Sequence, residues 1–247
     1  MSETTDQRRG QAPDVRNRLA IALDVDDLVE ALRIAKDVRP WFGVAKVGLE
    51  LYAAAGSDAV FELAKLDYRV FLDLKFHDIP TTVRKAARVV GAIGATYLTL
   101  HASGGTTMLR AGVEGLAEGA ANAGLEAPTT ALAVTVLTSD EAAPDQVLTN
   151  RVKHAVEAGC GGLVCAGNDV RHAKQVAPRL TAVVPGIRAA GSNTHDQARA
   201  STPEAAIQAG ADLLVVGRAV TGASDRAAAA AELVGDLDLE RRSASSR

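Results

Sequence analysis

The sequence predicts a single (β/α)8 barrel, and three observations carry that prediction. Eight short apolar runs recur at intervals of roughly 20–30 residues, the length of one strand-plus-helix unit. Alanine-rich stretches with helical spacing lie between them, among them DLVEALRIAKDV, VRKAARVVGAIG and TPEAAIQAG. The chain has 247 residues and no internal linker, close to the size of one such barrel. An open doubly wound sheet is the alternative. It is disfavoured because no Gly-x-Gly-x-x-Gly follows the first strand and eight similar units close naturally on themselves.

In chain order the strand candidates are RLAIALDV (Arg18–Val25), VAKVGLE (Val44–Glu50), RVFLDLKF (Arg69–Phe76) and ATYLTLH (Ala95–His101). TALAVTVL (Thr130–Leu137), GLVCAG (Gly162–Gly167), TAVVPGI (Thr181–Ile187) and DLLVVGRA (Asp212–Ala219) complete the set. Each is rich in Val, Ile, Leu or Thr, as expected of strands buried on both faces of a parallel sheet. The helix in TPEAAIQAG has Thr202 as N-cap and Pro203 at its first position. The barrel is expected over 18–237, with a disordered N-terminal tail at 1–17 and a C-terminal tail at 238–247. The opening MSETTDQRRGQAP has no apolar run and does not read as a targeting segment.

Composition narrows the functional classes. With 47% hydrophobic residues and a mean hydropathy of +0.06, the chain has the profile of a soluble globular protein, expected in the cytoplasm. A net charge of -3 gives no electrostatic case for nucleic acid or an anionic membrane, so an anionic ligand needs a few placed cations and backbone amides. No stretch of about 18 apolar residues is present to span a bilayer. Cys160 and Cys165 are expected to be free thiols, too few for a disulfide framework and without the further ligands a zinc site needs.

Barrel enzymes carry their chemistry at the carboxyl ends of the strands. The first strand ends in Asp24, the second contains Lys46, and the third ends in Asp73, Lys75, His77 and Asp78. Alternation puts Asp73 and Lys75 on one side of their strand, facing the barrel mouth. Charges inside a buried strand are costly unless they pair. An alternating set of acids and amines at one mouth therefore reads as a site rather than as a stability device. Asp78 also precedes Ile79-Pro80 and can favour a helix start. His77 and His101 read as structural. After the seventh and eighth strands come Arg188 and Gly217-Arg218, where barrels commonly hold phosphate through glycine amides and a cation. The polar stretch from Arg188 to Gln197 is long enough for a lid. Thr138, after the fifth strand, can hydrogen-bond a heterocycle.

These residues resemble the orotidine 5'-monophosphate decarboxylase family. The run DLKFHDIPTTV (Asp73–Val83) is similar to that family's active-site signature. So, in order, are ALDV, AKVGLELY, LHASGG, AVTVLTS, VVPGIR, DQARASTPEAAIQAGAD and VVGRAVT, covering about Arg18 to Arg226. The resemblance implies conversion of orotidine 5'-monophosphate to UMP and CO2 with no metal and no cofactor. It makes Asp24 a ribose contact and Lys46 a second ribose and charge-network contact. Asp73 faces the substrate carboxylate, and Lys75 is the proton donor. It further implies a homodimer in which Asp78, with Thr82 in the same segment, reaches the partner's site. Thr138 becomes a base contact, and Arg188, Gln197, Gly217 and Arg218 become the phosphate grip. Sibling barrels that use Mg2+ on sugar phosphates share Asp-x-Lys-x-x-Asp but carry an acid where this chain has Lys46, and a lysine there repels the metal.

Overall fold

Side chains along a strand point alternately to its two faces, and in these eight strands both faces are apolar. The chain therefore builds two cores at once. In a computed structural model describing residues 15–137, 143–188 and 201–244 (backbone alone beyond 235), the strands form a closed parallel barrel in the order β1 to β8. The strands are β1 (Leu19–Leu23), β2 (Val44–Val47), β3 (Arg69–Phe76), β4 (Tyr97–His101), β5 (Thr130–Val134), β6 (Gly162–Val164), β7 (Thr181–Ile187) and β8 (Leu213–Val216). Around them run α1 (Leu28–Val38), α2 (Leu49–Ala55), α3 (Asp58–Lys65), α4 (Pro80–Ala92), α5 (Gly105–Asn122), α6 (Asp145–Ala158), α7 (Val170–Val176), α8 (Pro203–Ala209), α9 (Arg218–Thr221) and α10 (Arg226–Ala244). Closure is made by β1 on β8, with Ala20 opposite Val215 and Ile21 opposite Val216.

Leu19, Ile21 and Leu23 face the helices in the outer core, together with Ala45, Val47, Val70 and Leu72. Ala20, Ala22, Val44, Phe71, Val183 and Val215 fill the barrel itself. Continuing each inner column upward by two residues gives the mouth. Ala20-Ala22 leads to Asp24, Val44 to Lys46 and Gly48, Phe71 to Asp73, and Leu213-Val215 to Gly217. The site is the top layer of the inner core.

All eight expected strands are present, but several of the apolar runs outlast them. Asp24, Gly48 and Gly217 follow their strands, because residues at the mouth turn away to meet helices rather than continue the ladder. Arg18 belongs to a 3-10 turn, Val15–Arg18, which begins before the expected start of the barrel at 18. At the other end α10 continues through Ala244, past 237. It is rich in Ala, Leu, Glu and Arg, strong helix formers, and opens with the Ala228 amide donating to Asp225 Oδ1 at 2.9 Å. Thr202 caps α8 as expected, accepting from the Ala205 amide at 3.2 Å ahead of Pro203.

Two further features frame the site. At the barrel floor the Arg69 guanidinium donates to the Asn17 carbonyl at 2.7 Å and to the Tyr97 hydroxyl at 3.3 Å. Arg18 likewise donates to the Ala211 carbonyl at 2.7 Å. On the outside, α4 and α5 pack backbone to backbone. A Cβ added at Gly115 or Gly119 would run into the carbonyl oxygens of Arg84 and Arg88, and one at Gly91 into that of Leu116. Both cysteines are buried, and they form no disulfide. No helix of the described residues is long and apolar enough to cross a membrane.

Candidate active site

The inner columns end in charge. Lys46, buried among apolar neighbours, donates to Asp24 Oδ1 at 2.8 Å and lies 3.7 Å from Asp73 Oδ2. Asp73 Oδ1 in turn stands 2.8 Å from Lys75 Nζ. The four side chains make one alternating line, acid–amine–acid–amine, across three neighbouring strands. Solvent exposure of the acids is uneven: Asp24 keeps 58% of its side-chain surface and Asp73 only 16%. Burial alone would raise the pKa of Asp73. The Lys46 and Lys75 charges, with hydrogen bonds from Lys75 and Thr99, outweigh burial and hold its carboxyl below the ordinary carboxylate range. Asp73 is thus a buried anion kept ionised by its neighbours.

Lys75 reaches the cavity by a route that simple alternation does not describe. The pairing of β3 with β4 slips between Leu72 and Phe76, so that Leu72 sits opposite Leu98 but Phe76 opposite Leu100. Within that slip Lys75 has φ of 49°, a left-handed conformation that costs a non-glycine residue about 1–3 kcal/mol. Thr99 spans the irregularity. Fully buried, its hydroxyl accepts the Lys75 amide at 2.8 Å and donates to Asp73 Oδ1 at 3.1 Å.

The line of charges borders a cavity of about 510 Å3, in the range of small-molecule sites. Asp24, Lys46, Asp73 and Lys75 lie on one side of it; Arg188, Gly217 and Arg218 lie on the β7–β8 side. The β7 side is irregular too: pairing with β8 slips between Val184 and Ile187, and Gly186 takes φ of 78°, where glycine is at ease. The Arg188 amide donates to the Ser201 carbonyl at 3.1 Å. Gly217 precedes α9, whose opening residues Arg218 and Ala219 border the cavity. Apolar walls come from Phe71, Val134, Val164 and Val215, so a ligand meets cations at one end, an ion-pair line at the other and a dry middle.

Not every residue singled out in the sequence reaches this cavity. Asp78 and Thr82 are exposed and are not among its lining residues; the Asp78 carboxylate accepts the Ile79 amide at 2.6 Å. Thr138 and Gln197 lie outside the described residues, as does most of the expected lid. His77 and His101 stand side by side with ring centroids 5.4 Å apart, away from the cavity lining. Two residues went unread in the sequence. Thr99 was hidden as an ordinary β-former in an apolar run, although it stands two residues after Tyr97 in an inner column. Gly48 stood inside the second strand run, with no charge to draw attention to it. A Cβ there would stand 2.7 Å from Asp24 Oδ1 and 3.3 Å from Lys46 Nζ, so its missing side chain is what lets that pair form.

Comparison with known proteins agrees with this geometry. The Orotidine 5'-phosphate decarboxylase / HUMPS family matches residues 17–233. A relative named orotidine 5'-phosphate decarboxylase from Anaeromyxobacter dehalogenans is 45% identical over 231 residues, covering 89% of this chain and 98% of the relative. One of the same name from Thermobifida fusca is 45% identical over 232 residues, covering 89% and 95%. The crystal structure of orotidine 5'-phosphate decarboxylase from Lactobacillus acidophilus superposes with a TM-score of 0.74 at 31% identity, over 89% of this chain and 98% of that one. With the match extending over nearly the whole barrel, this chain belongs to the orotidine 5'-phosphate decarboxylase / HUMPS family.

Proposed function

We propose that this chain decarboxylates orotidine 5'-monophosphate to UMP, a step of pyrimidine nucleotide synthesis, with Lys75 as the proton donor. One observation carries the reading: a paired lysine, Lys75, beside a buried carboxylate, Asp73, borders a cavity whose other side offers Arg188, Gly217 and Arg218. The phosphate goes to the β7–β8 side, where Gln197 joins the grip. The ribose meets Asp24 and Lys46, the pyrimidine lies over the apolar walls, and Thr138 is assigned as its base contact.

Breaking the bond between C6 and the carboxyl leaves its electron pair on C6 as CO2 departs. The Lys75 ammonium stabilises that charge in a site already polarised for it, then passes its proton to C6 to complete the C–H bond. Asp73 faces the departing carboxylate and orients Lys75. Lys46 places a fixed cation between Asp24 and Asp73, which favours this chemistry over that of the siblings needing Mg2+ between their acids. Phosphate contacts far from C6 supply binding energy that holds the charged arrangement closed.

The active unit in this reading is a cytoplasmic homodimer, with Asp78 and Thr82 entering the partner's site. Their exposure, outside their own chain's cavity, supports that assignment. The direct test is the ultraviolet absorbance of orotidine 5'-monophosphate mixed with protein and EDTA. Decay to the UMP spectrum is expected; no decay by folded protein overturns the reading. For the shared site, Lys75→Ala and Asp78→Ala proteins, each inactive, are mixed and allowed to exchange subunits. Recovered turnover is expected, since hybrid dimers own one intact site, and no recovery rejects the crossing.

A further inference from the structure

We infer that Thr99 is a positioning residue for the reaction: its hydroxyl holds Lys75 and Asp73 in register by clasping the irregular turn of β3 that presents them. The register shift falls at the Lys75 amide, and an amide half-buried there needs an acceptor. Thr99 provides it at 2.8 Å. A hydroxyl accepts and donates at once, so the same oxygen sends its proton to Asp73 Oδ1 at 3.1 Å. Asp73 Oδ1 is also the oxygen that pairs with Lys75 Nζ at 2.8 Å. One hydroxyl therefore closes a small ring through the backbone of Lys75, its ammonium and the carboxylate beside it. Full burial of Thr99 leaves water no easy substitute.

The geometry separates positioning from bulk packing. Valine has the shape of threonine but can neither accept nor donate, whereas serine keeps the hydroxyl and gives up only a methyl. If Thr99 merely filled space, valine would be the harmless change. If it positions, serine is. The groups facing Asp73 are Lys46 from β2, Lys75 from its own strand and Thr99 from β4, with Asp24 behind Lys46. Removing the Thr99 hydrogen bond takes away one of the influences that keep Asp73 ionised, and its titration moves upward.

The kinetic arm of the test rests on the decarboxylase reading; the titration arm does not. With orotidine 5'-monophosphate as substrate, Thr99→Val is expected to lower kcat by about 10- to 100-fold, the loss for a hydrogen bond to a charged group, with KM changed far less. Thr99→Ser is expected to stay within about threefold of wild type, and Thr99→Cys, with its weaker donor, to fall between. In ligand-free protein carrying 13C-labelled aspartate, the Asp73 carboxyl is expected to titrate higher in Thr99→Val and to return in Thr99→Ser. Wild-type kcat and an unmoved Asp73 in Thr99→Val overturn the inference, as does a Thr99→Ser protein as impaired as Thr99→Val. If Thr99→Val does not fold, the Thr99→Cys and Thr99→Ser pair decides by the same order. Should wild-type protein leave the substrate unchanged while the Asp73 titration shifts and recovers as described, the positioning role stands and the decarboxylase reading falls.

Discussion

The two ends of the barrel bury charge to different degrees. At the floor, Arg69 and Arg18 donate to the carbonyls of Asn17 and Ala211 and the Tyr97 hydroxyl, and the ion pairs Arg39–Asp67 and Lys174–Asp212 keep their acids open to solvent. Those contacts tie strand starts to turns at the same end of the barrel. At the mouth, ions partner ions: Lys46 bridges two acids, and Lys75 pairs with Asp73 beside an open cavity. Removing ions from water costs several kcal/mol each, and pairing repays that only with good geometry. The mouth adds a left-handed lysine to this cost. Asp67 gives the floor a left-handed residue too, but its paired acids Asp67 and Asp212 keep 94% and 48% of their side-chain surface against 16% for Asp73, so the enclosed acid marks where stability has been given up for chemistry.

Substitutions at each end sharpen that contrast. The largest effect is expected at Lys75: alanine should lower turnover by on the order of 10^4-fold on the proposed chemistry, with UMP still binding in calorimetry. Gly48→Ala comes next. Its new methyl meets Asp24 Oδ1, so the Asp24–Lys46 pair must part, and kcat/KM should drop by about 10- to 100-fold while the protein remains folded. Arg218→Ala should raise KM for a phosphorylated substrate by about tenfold or more, and scarcely alter the binding of the nucleoside that lacks phosphate. At the floor the pattern inverts: Arg69→Leu should cost about 1–3 kcal/mol of stability in denaturant titration and leave kcat unchanged. A drop in kcat there would erase the distinction between the two ends.

Acid should act on the mouth first. The folded-state pKa of Asp73 is lowered, so its contribution to stability is complete above the ordinary carboxylate range and is lost as pH falls through the lower folded value. Wild-type melting temperature should therefore fall more steeply than that of Asp73→Asn once pH drops below about 4. Equal slopes would mean that Asp73 is not the anion described here. A smaller effect concerns Cys160, whose thiol burial pushes up to about 12. Iodoacetamide at neutral pH should leave it unmodified in the native protein and label it after denaturation.

How much of this was legible in the sequence depends on the range of the interaction. The eight strands were readable because a buried parallel strand writes itself locally, as four to eight branched apolar residues between helical stretches. Asp24, Lys46, Asp73 and Lys75 were readable because charge within such runs is expensive and therefore conspicuous. Arg188, Gly217 and Arg218 followed from their place after the last two strands. Thr99 and Gly48 were not readable, since what distinguishes them is a partner on another strand: Thr99 serves residues 24 and 26 positions earlier, and Gly48 makes room for Asp24. The slip in β3 was hidden for the same reason, because lysine carries no local preference for a left-handed backbone. Long-range compensation leaves no local mark.

The glycine seam between α4 and α5 has a mechanical consequence. Helices spaced by side chains can creep, because rotamers yield and small gaps close. Here the carbonyls of Arg84 and Arg88 rest directly against the backbone of α5, and nothing soft lies between. Thr82 lies in the first turn of α4 and Asp78 two residues before that helix, so the segment runs directly into a stiff two-helix beam. A push along α4 is carried into α5 as a whole. Whatever Thr82 meets, it holds its station to within the play of a backbone contact.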